Sequence, residues 1–123
     1  MRSRRGSRKR YEPTGSSGFF TALLRYGGMW ILQGDESTFR LPAGAIKTVG
    51  RAPRADFIVD AALVSRLHCR LTATDRSVEV VDLQSTNGTF VNGKRVAQAK
   101  LAVGDRLRVG RVELKVARLS TGL

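Results

Sequence analysis

From Gly28 onward the chain alternates between short runs rich in β-branched and apolar residues and small polar breaks. The runs read M-W-I-L-Q, T-F-R-L, A-I-K-T-V, F-I-V, H-C-R-L-T-A-T, S-V-E-V-V-D-L, T-F-V, K-R-V, R-L-R-V and V-E-L-K-V-A-R-L, with Gly, Pro, Asp or Asn between them. Runs of this length and composition predict strands. In the last one, Val112, Leu114 and Val116 alternate with Arg111, Glu113 and Lys115, the period of a strand with one dry face and one wet face. Asn92-Gly93, between Phe90-Val91 and Lys94-Val96, predicts a tight hairpin, because both residues tolerate the positive φ angles that such a turn requires. Gly104-Asp105 marks a further turn. Some ten or eleven short strands in one stretch predict an all-β sandwich or barrel. Sheet faces consume the strands, so any chemistry has to lie on the loops.

Three loops are rich in hydrogen-bond donors. Gly50-Arg51, Ser65-Arg66 and Ser85-Thr86-Asn87-Gly88-Thr89 bring guanidinium groups, hydroxyls and an amide, and none of these segments contains a carboxylate. Such a set suits an anion, above all a phosphate, whose oxygens accept charge-assisted hydrogen bonds from a planar guanidinium.

His68 and Cys69 are the residues that suggest catalysis, and the pattern argues against it. In a strand they point to opposite faces, so they cannot act as a base–nucleophile pair. Cys69 shares its face with Leu67 and Leu71, a core position, and His68 shares the other face with Arg70. One cysteine and one histidine on opposite faces make no metal site. No glycine loop of the Walker type is present, nor the strand–helix alternation that would position one. The expectation is a protein with no cofactor, no metal and no enzymatic activity.

The chain has 123 residues, enough for one domain. Its net charge is +12, which raises the possibility of a nucleic-acid partner, but the charge is uneven. Arg2, Arg4, Arg5, Arg8, Lys9 and Arg10 stand in the first ten residues without an acid, whereas residues 28–123 hold 15 basic against 9 acidic side chains. Residues 1–18 are Arg, Ser and Gly with little to bury, and they predict a disordered basic tail. That tail could contact an acidic partner, nucleic acid or an acidic lipid. Residues 19–27 hold a short apolar linker or helix with Phe20, Leu23 and Leu24 on one face. The apolar run Phe19–Leu24 is too short for a signal core, and no run approaches the ~20 apolar residues that a membrane-spanning helix needs. The single cysteine permits no intramolecular disulfide and fits a cytoplasmic location.

Taken together, Gly50-Arg51, Ser65-Arg66-Leu67-His68, Asp82-Leu83-Gln84-Ser85-Thr86-Asn87-Gly88-Thr89 and Val91-Asn92-Gly93 resemble the forkhead-associated (FHA) family. The resemblance covers residues 28–118 and leaves 119–123 as a C-terminal tail. It implies a β-sandwich that binds phosphothreonine peptides through loops at one end, and hence a signalling module that recruits a protein phosphorylated by a Ser/Thr kinase. By the same resemblance, Arg51, Ser65, Arg66 and Thr86 contact the phosphate and Asn87 holds the peptide main chain. Gly50, His68, Asp82, Gly88, Thr89 and Asn92 are implied to be structural, with His68 holding the serine in place. Some members of the family bind their own phosphorylated tail, which makes Thr14 a candidate for capture in cis. The competing reading is a nucleic-acid-binding protein that uses the basic tail, with the sandwich as its scaffold.

Overall fold

A computed structural model describes residues 28–119, and these form eleven strands and no helix. The expectations for residues 1–18, for the segment 19–27, for the C-terminal tail and for Thr14 lie outside the described residues or, for Leu119, at their edge. The strands are β1 (Met29–Gln33), β2 (Thr38–Pro42), β3 (Ile46–Gly50), β4 (Phe57–Ile58), β5 (Cys69–Ala73), β6 (Val78–Asp82), β7 (Thr89–Val91), β8 (Lys94–Val96), β9 (Gln98–Leu101), β10 (Arg106–Val109) and β11 (Val112–Leu119). They make two sheets, β2-β1-β11-β10-β7-β8 and β4-β3-β5-β6-β9. The pairs are antiparallel apart from β3 with β4.

The alternation along the chain decides which side of each strand is dry. In β11 Leu114 and Val116 are buried while Glu113 and Lys115 are exposed. In β5 Cys69, Leu71 and Ala73 are buried and Arg70 is exposed. Inward side chains of both sheets, among them Trp30, Leu32, Leu41, Val49, Leu71, Val80, Leu107 and Leu114, form one core. Full burial of a side chain of this size contributes about 1.5–3 kcal/mol. The Trp30 indole N–H would be costly inside such a core, and it donates to the Thr74 carbonyl at 2.7 Å. The Asn92-Gly93 hairpin forms with φ of 51° and 83°, which sets the register Val91↔Lys94.

One strand, β9, escaped the sequence pattern. Its residues Gln98-Ala99-Lys100-Leu101 lack β-branched side chains, and only pairing with the outer side of β6 makes them a strand. Tertiary context overrides a weak local preference there. The sandwich directs the β3–β4, β4–β5 and β6–β7 loops toward one another, and backbone hydrogen bonds lock the first two together. Arg51 N–H donates to the Ser65 carbonyl at 2.9 Å, Ala52 N–H to the Arg66 carbonyl at 3.0 Å and His68 N–H to the Val49 carbonyl at 2.7 Å. This zipper requires a glycine at position 50: a Cβ there would press on the Arg66 carbonyl group and stand 2.9 Å from the Leu67 Cα.

Candidate functional site

The three loops enclose an open cleft of about 810 Å³ whose lining includes Arg51, Ser65, Arg66, Thr86 and Asn87. Arg51 begins the β3–β4 loop. Its Nε donates to the Val64 carbonyl at 3.1 Å, which braces the guanidinium and leaves its terminal nitrogens without a partner among the described residues. Arg66 is exposed, and its side chain has no hydrogen bond or ion pair among the described residues. The two cations therefore differ in character: Arg51 is braced by backbone, and Arg66 is an exposed charge on the cleft lining.

Ser65 and Thr86 meet across the cleft. Thr86 N–H donates to Ser65 Oγ at 3.0 Å, so the serine hydroxyl accepts from the protein and keeps its own proton for an outside acceptor. The side-chain amide of Asn87 donates to the Leu63 carbonyl at 3.1 Å, which ties the β6–β7 loop to the β4–β5 loop and leaves the amide oxygen for a donor from outside.

Behind this front lies His68, which is fully buried. The alternation that groups it with exposed Arg70 gives no hint of this burial. The strand begins only at Cys69, so the residue before it is free of the alternation and turns inward under the loops. Its Nδ1 accepts the Ser65 N–H at 3.0 Å, and its Nε2 lies 2.8 Å from the Gly88 carbonyl. The first contact makes Nδ1 the acceptor, so Nε2 carries the proton and donates. One imidazole thus links the backbones of two of the three loops.

Asp82 organises the third loop. Its Oδ1 accepts from Ser85 Oγ at 2.6 Å and Thr89 Oγ1 at 2.7 Å, and its Oδ2 accepts from Ser85 N–H at 3.1 Å. Burial works against the charged carboxylate, but the Ser85 and Thr89 donors outweigh it and hold its pKa below the usual carboxylate value. Ser85 Oγ in turn accepts the Gly88 N–H at 2.9 Å. Ser85 faces inward as a loop tie, a role that its place in the donor-rich block did not suggest. The spacing from Asp82 to Ser85 is the available signal, since an Asp side chain commonly accepts N–H groups a few residues on. Gly88 has φ 92° and bears the Arg95 side chain, whose Nε would stand 2.7 Å from a Cβ at that position. Asn92 lies away from the cleft, where it accepts Arg106 N–H at 2.9 Å and donates to Asp105 at 3.1 Å.

Two features of the cleft went unread in the sequence. Asp60 lines it, so the expectation of a site without a carboxylate is corrected: the β4–β5 loop folds back far enough to bring an acid to the rim. Leu63, with φ 71° and 45% of its surface exposed, presents an apolar side chain beside Asn87. A leucine rarely adopts this left-handed backbone, and neither the angle nor the exposure is visible in a residue type. Cys69 lies behind the site in the core, where burial, with the Asp82 charge adding to it, pushes its thiol up to about 12. The described residues contain no cluster of His, Cys, Asp and Glu able to hold a metal ion, and none of their helices could cross a membrane, since there are none.

Comparison with known proteins places these loops in a family. The FHA domain family profile matches residues 47–110. An ABC transporter ATP-binding/permease protein of Mycobacterium tuberculosis is 42% identical over 72% of this chain and 10% of its own length. The FHA domain solved in a structural and functional analysis of phosphothreonine-dependent FHA domain interactions is 35% identical, with a TM-score of 0.67 over 72% of this chain and 94% of that one. The FhaA FHA domain, solved in complex with the intracellular domain of Rv3910, is also 35% identical, with a TM-score of 0.67 over 72% of this chain and 99% of that one. The chain spans a tenth of the transporter's length and less than half the length of other curated relatives that it matches.

Proposed function

This chain belongs to the FHA domain family, and from that premise we propose that it is a phosphothreonine-binding signalling module. It captures a partner protein that a Ser/Thr kinase has phosphorylated. The observation that carries the reading is the convergence of Arg51, Ser65, Arg66 and Thr86 on one open cleft. A phosphothreonine brings about −1.5 to −2 charges and three strong acceptor oxygens to such a site.

In this reading Arg51 and Arg66 supply the charge, and the Ser65 hydroxyl and Thr86 complete the phosphate shell. The Asn87 amide oxygen accepts a main-chain N–H of the peptide. The loops are held before the ligand arrives by the His68 and Asp82 hydrogen bonds, so little ordering is required on binding. The reaction is association without turnover, and the location we assign is the cytoplasm, where kinases and a reduced Cys69 coexist.

Fluorescence anisotropy with a labelled phosphothreonine peptide library tests the proposal. Charge-assisted hydrogen bonds contribute about 1.5–3 kcal/mol each, so Arg51→Ala should weaken binding by roughly tenfold to more than a hundredfold. Unphosphorylated peptide should not bind. Equal binding with and without phosphate, or indifference to Arg51→Ala, would remove the cleft as the site.

A further inference from the structure

The described domain carries an excess of six positive charges, and Arg51 and Arg66 account for only part of it. Much of the remainder lies on the outer face of the six-stranded sheet. The strand registers place Arg40, Arg95, Arg106, Arg108 and Lys115 on that face with one carboxylate, Glu113. The cations are not equivalent. Arg106 faces Glu113 at 4.0 Å, and Asp35 and Glu36 of the β1–β2 turn line the same depression as Arg106 and Lys115. Charge is therefore compensated at that corner of the sheet.

Compensation is weaker toward β7 and β8. Arg108 stacks on the Phe90 ring at 4.0 Å and donates to the Gly110 carbonyl; Glu113 faces it in register, but the ion pair of that carboxylate is with Arg106. Arg95 is exposed and pairs in register with Phe90 from the edge strand β8. Its side chain runs over the bare backbone of Gly88, one residue from Asn87 in the cleft. An arginine braced on an aromatic ring and another laid along a glycine are both held extended, which lowers the rotamer entropy that usually cancels the benefit of a surface ion pair.

We infer that Arg95 and Arg108 form a second cationic contact, which selects a phosphothreonine partner carrying acidic side chains to one side of the phosphorylated residue. This deepens the proposed function and rests on it. A peptide held at Asn87 leaves the cleft extended, advancing about 3.3 Å per residue. Arg95 and Arg108 flank Phe90 from the two sides of β7, so a peptide that runs from the cleft along β7 passes between them. The contact adds selectivity among phosphoproteins that the phosphate shell alone cannot distinguish.

The test uses three fluorescein-labelled peptides with one phosphothreonine in an Ala-Gly background. One carries three Asp residues N-terminal to the phosphothreonine, one carries them C-terminal to it, and one carries none; each is also made unphosphorylated. Wild-type chain at low salt should bind one of the two Asp peptides about two- to fivefold more tightly than the neutral peptide, the scale of exposed ion pairs. Arg95→Gln should abolish that preference and leave the neutral peptide's affinity unchanged, while Arg95→Lys should retain most of it. A wild-type protein indifferent to the Asp residues, or a preference that survives Arg95→Gln, overturns the inference. An equal loss for all three peptides overturns it as well, because Arg95 then only shapes the loop. Binding that ignores the phosphate is a separate result: it removes the underlying function, and this contact with it.

Discussion

Replacing His68 by alanine probes the link between stability and binding most sharply. The imidazole is fully buried and joins two loops, accepting the Ser65 N–H at 3.0 Å and reaching the Gly88 carbonyl at 2.8 Å. His68→Ala leaves one donor and one acceptor without partners in a buried space. Each unsatisfied group costs about 1–3 kcal/mol, so the loss should be about 2–6 kcal/mol. A domain of this size is stable by only about 5–15 kcal/mol, so the variant should keep a folded population with a much lower urea midpoint and an unchanged slope. Because Ser65 loses its brace and Thr86 N–H rests on Ser65 Oγ, affinity for a phosphothreonine peptide should fall although His68 does not line the cleft. Urea unfolding followed by tryptophan fluorescence, paired with a peptide titration in buffer, measures both. A loss below about 1 kcal/mol with unaltered affinity would refute the assignment of His68 as the tie between the loops, since one lost neutral hydrogen bond alone approaches that value.

Three more outcomes follow from the same geometry. The Asp82 carboxylate titrates below its ordinary value of 3.8, so the stability it contributes is complete above that value and is lost as pH falls through the lower folded value; Asp82→Asn should flatten the acid limb of a pH series of urea midpoints. Cys69, with its thiol raised to about 12 and no exposed surface, should resist alkylation at neutral pH and react at the rate of unfolding, as timed mass spectrometry with iodoacetamide would show. Phosphopeptide affinity should rise between pH 5 and pH 7, because the second phosphate proton leaves near pH 6 and the dianion meets Arg51 and Arg66 with more charge, a range open to titration in matched ionic strength, read with the Arg51→Ala variant as the control.

Much of the architecture was legible because β-strand periodicity is a local property. Val112, Leu114 and Val116 announced their face, and Asn92-Gly93 announced its turn. β9 did not, since Gln98 to Leu101 owe their conformation to β6 rather than to their own side chains. The loop donors were legible as residue types, but their arrangement was not. Nothing local says that Arg51 Nε is held by the Val64 carbonyl, that Ser65 keeps its proton because it accepts from Thr86, or that Asp60 reaches the rim. His68 illustrates the limit best. Alternation counts only within a strand, and the strand starts one residue later, so a position grouped with exposed Arg70 is fully buried under the loops. Long-range contacts decide such cases, and they are set by the meeting of loops far apart in sequence.

The most direct test of the central claim is a ¹⁵N-resolved NMR titration of the chain with one peptide in phosphorylated and unphosphorylated forms. The account predicts that the phosphorylated form alone shifts the backbone signals, and that the largest changes cluster at Gly50–Ala52, Leu63–Leu67 and Gln84–Gly88, with the Arg51 side-chain Nε–H among them. Shifts that spread over the basic outer sheet while these loops stay silent, or equal shifts from both peptides, would contradict it.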